Sequence, residues 1–149
     1  PDRMSALPAS LIKRLGPFRG APEHVGRLAA LDRSQAVIEF DLNGNILEAN
    51  DNFLAAVGYS REQVIGRHHS MFVHPDERDG LAYRMFWERL GRGEADSGQY
   101  RRVCHDGQEV WLQASYNPIL DAAGRPYKVV KYFTFVTEQV RQAQALKEL

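Results

Sequence analysis

An α+β fold is predicted from three observations in the 149-residue sequence. Two short stretches of apolar and polar alternation flank Asn43-Gly44, three longer alternating stretches lie toward the C-terminus, and helix-period segments fill the space between them. The order β-β-α-α-α-β-β-β puts five antiparallel strands beside a cluster of helices, which is the α+β arrangement.

The first 33 residues read as helical fragments broken by Pro8, Gly16-Pro17, Gly20 and Pro22. Leu7, Leu11, Ile12 and Leu15 share one helical face, and Val25, Leu28, Ala29 and Leu31 share another, so an N-terminal cap of two short helices is expected, packed on the domain or on a second copy. Met4 followed by Ser5 reads as a native start, which makes residues 1–3 an added remnant and places the module at the beginning of its parent protein. Residues 37–41 and 45–49 form the first hairpin around Asn43-Gly44, whose residues tolerate positive φ. Phe53, Leu54 and Val57 then recur at helical spacing until Gly58. Ser60 with Gln63 three residues on is a capping box for a short helix that stops at Gly66. A longer helix is predicted over 76–92, with Leu81, Met85, Phe86 and Leu90 on its apolar side. Asp76, Glu77 and Asp79 near its start suit a helix N-terminus rather than an acidic active site.

Three strands follow over 98–105, 108–120 and 126–136, joined by Asp106-Gly107 and by residues 121–124. In the middle one Val110, Leu112, Ala114 and Tyr116 alternate with Glu109, Trp111, Gln113, Ser115 and Asn117, giving one apolar and one mixed face. A last helix is predicted over 138–149, capped by Thr137, with Val140, Ala143, Leu146 and Leu149 spaced for a seam. The organisation expected is a helical cap at 1–33, a central domain at 34–137 and the start of a further helix at 138–149.

Composition narrows the function. Nineteen Lys and Arg balance nineteen Asp and Glu, so no net field draws the chain to nucleic acid or to an anionic membrane. Cys104 is the only cysteine, which excludes an internal disulfide and a cysteine-rich zinc site and fits a reducing, cytoplasmic setting. There is no apolar run of membrane-spanning length and no secretory leader pattern. Neither a P-loop, a nucleophile elbow nor a zinc-protease motif occurs, so the chain reads as a binding module and not an enzyme.

The run from Asn45 to Leu54, then Val57-Gly58-Tyr59-Ser60, Glu62 and Gly66-Arg67, resembles the opening half of a PAS domain. Gly98 to Arg102, Asp106-Gly107, Trp111 and Asn117-Pro118-Ile119 resemble its closing strands. Within that family the chain is most similar to the PAS modules of bacterial chemoreceptors, through the runs His68 to Phe72, Tyr83 to Trp87 and Glu109 to Pro118. The resemblance implies a pocket between the central sheet and the 76–92 helix. Aerotaxis-type relatives imply FAD, with Asn50, His74, Asp76 and Trp87 at matching positions; Gln113 and Asn117 suit the ring edge and Trp87 a ring face. The sequence departs from those sensors at Asp96, where a Trp precedes Ser-Gly, and at Arg102, where an Asn precedes the basic pair. Haem b is the alternative, with His68, His69 or His74 as the axial imidazole. No cysteine lies in the helical segment to form a blue-light adduct, since Cys104 sits near a strand turn. The function expected is redox or oxygen sensing in chemotaxis-type signalling, relayed through the C-terminal helix to a downstream domain of the same chain, in a homodimer. A cofactor-free interaction module and a small-metabolite receptor are the other readings.

Overall fold

The computed structural model describes residues 21–136, 142–143 and 145–148. The chain divides between Ser34 and Gln35 into two compact units. In the first, helix α1 (Ala21–Ser34) carries Glu23 in its opening turn and Arg33 in its last, each complementing the helix dipole. The earlier helix predicted for the cap lies outside the described residues.

The second unit is built on one antiparallel sheet. Strands β1 (Ala36–Phe40) and β2 (Ile46–Ala49) form the predicted hairpin. Its turn is held by the Asp41 carboxylate, which accepts from the backbone N–H groups of Asn43 and Asn45, each at 2.9 Å. Gly44 is required there: its φ is +88°, and a Cβ would come within 2.8 Å of His68 Nε2 and 3.1 Å of the Trp87 indole. Strands β3 (Asp96–Val103), β4 (Glu109–Leu120) and β5 (Pro126–Phe135) complete the sheet in the order β2-β1-β5-β4-β3. The last strand therefore lies at the centre, paired with the first on one side and with β4 on the other.

Between the hairpin and β3 run helices α2 (Asp51–Val57), α3 (Arg61–Val64), α4 (Pro75–Arg78) and α5 (Leu81–Gly91), with a tight 3-10 turn at His69–Phe72. Gly58 ends α2 in the left-handed conformation, and the Gln63 side chain accepts from the Ser60 backbone N–H at 2.9 Å, as the capping pattern predicts. The single helix expected over 76–92 is instead two. Gly80 adopts an extended backbone, ends the short α4 and caps α5, so the axis breaks before Leu81. The buried side of α5 is also rotated from the expected one: Phe86, Trp87 and Leu90 are buried, whereas Leu81 and Met85 are exposed. These helices cover one face of the sheet, and the core between them includes Ile38, Phe40, Phe53, Phe72, Phe86, Leu90, Leu112 and Phe133. Of the predicted output helix, residues 142, 143 and 145–147 are helical, with Leu146 exposed, while Thr137, Val140 and Leu149 lie outside the described residues.

Candidate functional site

The alternation of β4 decides which side chains share a space. Val110, Leu112, Ala114 and Tyr116 are buried on the helix-covered face, so Glu109, Trp111, Gln113, Ser115 and Asn117 face the other way. The register then carries two cations onto the covered face. Arg102 of β3 lies opposite Val110, and Lys131 of β5 lies opposite both Tyr116 and Ile38. Both are buried. The Lys131 ammonium stands 4.8 Å from the Tyr116 ring centre and 5.3 Å from that of Phe133, which offers it aromatic faces in place of water. Burial first, and the Arg102 charge second, push the Lys131 pKa well below its ordinary value.

His69 lies at the middle of this core with no solvent exposure. Its Nδ1 is 2.7 Å from the Tyr83 hydroxyl of α5, and its Nε2 is 3.0 Å from the Tyr116 hydroxyl of β4. Arg102 Nη2 in turn donates to Tyr116 Oη at 3.1 Å. A polar chain of Tyr83, His69, Tyr116 and Arg102 thus crosses the core from α5 to β3. Burial, with the charges of Arg102, Lys131 and His68 behind it, holds the His69 pKa well below 6.5, so the imidazole is neutral at physiological pH. Burial raises the phenols as well: Tyr83 is pushed up to about 12, and Tyr116 rises despite the Arg102 guanidinium beside it. Two buried polar atoms among the described residues have no hydrogen-bond partner, Trp87 Nε1 and Arg102 Nε.

Two clefts flank α5. One of about 640 Å³ lies toward the β1-β2 turn and is lined by Asn43, His68, Arg78, Tyr83, Arg84 and Trp87 among others. The second, about 480 Å³, lies toward β3 and is lined in part by Glu77, Tyr83, Phe86, Asp96, Tyr100 and Arg102. Tyr83 borders both.

The candidates named from the sequence are dispersed around this core. Asn50 caps α2: its Oδ1 accepts from the N–H groups of Phe53 and Val37, and its Nδ2 donates to Gln35 O at 2.7 Å. His74 caps α4 at the surface, and Asp76 belongs to a charged cluster with His74, Arg101 and Glu109. Although desolvation opposes it, hydrogen bonding from His74 and the neighbouring Arg101 hold the Asp76 carboxyl below its usual range. Gln113 is exposed on the outer face, and Asn117, on the same face, donates to Ser115 Oγ and Val130 O. Of the six, Trp87 stands in the wall of the cleft beside the β1-β2 turn, with His68 next to it, and Asp76 in the wall of the cleft beside β3.

These positions bear on the two cofactors considered. Haem ligation needs an imidazole nitrogen free to face an open apolar space. His69 has both nitrogens hydrogen-bonded and six aromatic rings with centroids 5.2–6.4 Å from its own. Nδ1 of His68 accepts from the Ser70 N–H and its Nε2 meets Asn43 O at 2.7 Å, while His74 lies in the surface cluster. The residues do not fit haem. Nor do Trp87, Gln113 and Asn117 fit one flavin ring, since the sheet stands between the first and the other two. No group of three or more His, Cys, Asp or Glu among the described residues is arranged to hold a metal.

The residues missed from the sequence are Tyr83, Tyr116, Arg102 and Lys131. One signal was present: Lys131 falls between Val129 and Phe133 in the period of the covered face, an odd place for a cation unless the core has a polar task.

A five-stranded antiparallel sheet covered on one face by short helices, with a polar chain threading the core between them, defines an α+β domain. The chain belongs to the PAS fold family, whose match covers residues 46–133. It is 53% identical over 123 residues to the biofilm dispersion protein BdlA of Pseudomonas aeruginosa, covering 83% of this chain and 30% of that protein. It is 30% identical over 108 residues to the aerotaxis receptor of Escherichia coli, covering 72% of this chain and 20% of the receptor. Among solved structures it superposes on an RNA-binding light-oxygen-voltage receptor with a TM-score of 0.71 at 25% identity, over 99% of this chain and 40% of the other. The chain thus spans less than a third of the length of these two curated relatives. No helix among the described residues is long and apolar enough to cross a membrane.

Proposed function

We propose that this chain is the sensory module of a cytoplasmic chemotaxis-type receptor, holding a small ligand against α5 and passing its occupancy through the sheet to the chain that follows β5. The observation that carries this reading is the polar chain from Tyr83 to Arg102, because it ties the helix that borders both clefts to β3 and β4. A ligand that moves α5 must break or tighten bonds in that chain, and so has a different affinity for the two packings of helix on sheet, which is the condition for a signal. The role is binding and relay and involves no covalent step. Thermal melts across a library of small metabolites test it. A compound that raises Tm should also slow amide exchange in β5, and a library without such a compound, or protection confined to α5, would contradict the relay.

The relation to the aerotaxis receptor favours a second reading, redox or oxygen sensing with FAD held on the helix-covered face without Gln113 and Asn117. Bound flavin would supply an electron acceptor whose reduction alters its hydrogen bonding. Protein purified from cells rich in flavin and haem distinguishes the readings by its absorption spectrum. Near-ultraviolet and blue bands would support FAD, a Soret band haem b, and a colourless sample the small-ligand reading.

A further inference from the structure

We infer that Tyr83 and Trp87 form a paired hydrogen-bond donor for the acceptor oxygens of a small monocarboxylate seated in the cleft between α5 and the β1-β2 turn. The inference rests on the reading of α5 as the wall against which a ligand is held, and it names the chemical class of that ligand.

Proton accounting along the core chain is its first support. Arg102 has only donors, so the bond to Tyr116 uses a lone pair of the Tyr116 oxygen. Tyr116 has no solvent exposure, and among the described residues the other hydrogen-bond partner of its hydroxyl is His69 Nε2. Were Nε2 the donor, the Tyr116 proton would be buried without an acceptor, at a cost of about 1–3 kcal/mol. Tyr116 therefore donates to Nε2. A neutral His69 then carries its proton on Nδ1 and donates it to the Tyr83 oxygen at 2.7 Å. The hydroxyl proton of Tyr83 is left with no acceptor among the described residues, and Tyr83 borders the cleft.

A second donor in the same state lies one helical turn away. Trp87 Nε1 is buried and has no partner, and the indole lines the same cleft. Its N–H lies near enough to the Tyr83 hydroxyl to favour the ionised phenol, but makes no hydrogen bond of ordinary geometry to it. Two adjacent donors lacking acceptors call for an occupant that brings oxygen lone pairs, since an unmet buried donor costs more than a hydrogen bond gains.

Charge selects among such occupants. Burial disfavours charge on the Tyr83 phenol itself, but the nearby Arg102 and Arg78 both oppose that effect, and Arg84, in the cleft lining, makes no ion pair among the described residues. Asp79 and Glu88 also line the cleft and oppose a multiply charged ligand. One carboxylate suits that balance, and a phosphate ester or a dicarboxylate does not.

The test uses the two tryptophans, Trp87 and Trp111, whose indole N–H signals in a nitrogen-15 spectrum are assigned by Trp→Phe substitution. Acetate, pyruvate and benzoate are titrated to tens of millimolar beside acetamide, pyruvamide and benzamide. We expect at least one carboxylate to move the Trp87 proton downfield and saturate while its amide binds about tenfold more weakly or not at all. Tyr83→Phe should weaken that carboxylate by about tenfold, as for one lost bond to a charged acceptor, with the fold retained in its amide spectrum. Trp87→Phe, read from neighbouring amides, should do the same. Equal binding of acid and amide, or a carboxylate indifferent to Tyr83→Phe, would overturn the carboxylate assignment and leave a ligand-holding α5 intact. If none of the six probes moves the Trp87 signal, the assignment falls. A library compound that still raises Tm and protects β5 would then show that the sensory reading survives without it.

Discussion

A histidine with no exposure and both nitrogens engaged is a device for fixing hydrogen-bond direction, and His69 holds that place. His69→Phe keeps an aromatic ring in the cage but removes the acceptor of the Tyr116 proton, so the variant should lose about 1–3 kcal/mol in urea unfolding. The pH dependence has a definite sign. The folded pKa lies below the unfolded one, so the contribution of neutral His69 is complete above about 6.5 and erodes as pH falls below that toward the folded value. Urea midpoints measured between about pH 8 and pH 5 should fall more steeply for the wild type than for His69→Phe, and parallel curves would mean that His69 is not the titrating group. From the sequence alone His69 and His68 were equivalent candidates for a ligand. What separates them is the 3-10 turn, which turns one ring to the core and leaves the other as its cap. Tyr116 was legible as a core residue because β4 alternates cleanly, but its partners arrive from β3, β5 and the 3-10 turn, and no local pattern brings those together.

At the scale of elements, Asn50 joins three pieces of chain. Its amide satisfies the first turn of α2, an N–H of β1 and the carbonyl of Gln35 just before β1, so one side chain sets where the helix leaves the sheet. Asn50→Ala should cost about 2–3 kcal/mol, more than an ordinary N-cap because a strand N–H is orphaned as well. Asn50→Asp, which keeps the acceptor and loses the donor, should recover part of that. Equal losses from the two variants in chemical denaturation would mean that the bond to Gln35 O matters more than the cap. The resemblance placed Asn50 with the ligand, whereas its position here is architectural. Turns were the most legible elements, since Asp41, Gly44, Gly58, Gly107 and Gly124 each stand where side-chain acceptors or positive φ are needed. The break at Gly80 was not, because a glycine inside a helical pattern reads equally as a tolerated interior residue, and the apolar side of α5 was consequently placed about a quarter-turn away from Trp87.

For the whole molecule, signal output requires a partner surface for the chain after β5. Leu146 is 71% exposed, and a helix of the length predicted over 138–149 is marginal without a surface to pack on. We expect a parallel homodimer seamed by Val140, Ala143, Leu146 and Leu149, and sedimentation of the wild type beside a Val140→Glu, Leu146→Glu variant checks it. A wild type monomeric at high concentration, or a dimer indifferent to both charges, would place the assembly elsewhere. The α+β class and all five strands were readable from periodicity, but the order β2-β1-β5-β4-β3 was not, since alternation marks which face a residue takes and not which strand lies next to it. That order has a consequence for how the protein is made. Phe40 pairs with Val129, so the first strand to leave the ribosome waits for the last before either is covered on its open edge. Until β5 emerges, the nascent chain holds two separate hairpins with unpaired edges and a core without its middle. Synthesis must therefore run almost to the end of the domain before any of it is stable, and the strand that completes the fold is the same one that carries the chain onward past the sheet. A domain built this way cannot hand on whatever follows β5 from a half-folded sheet.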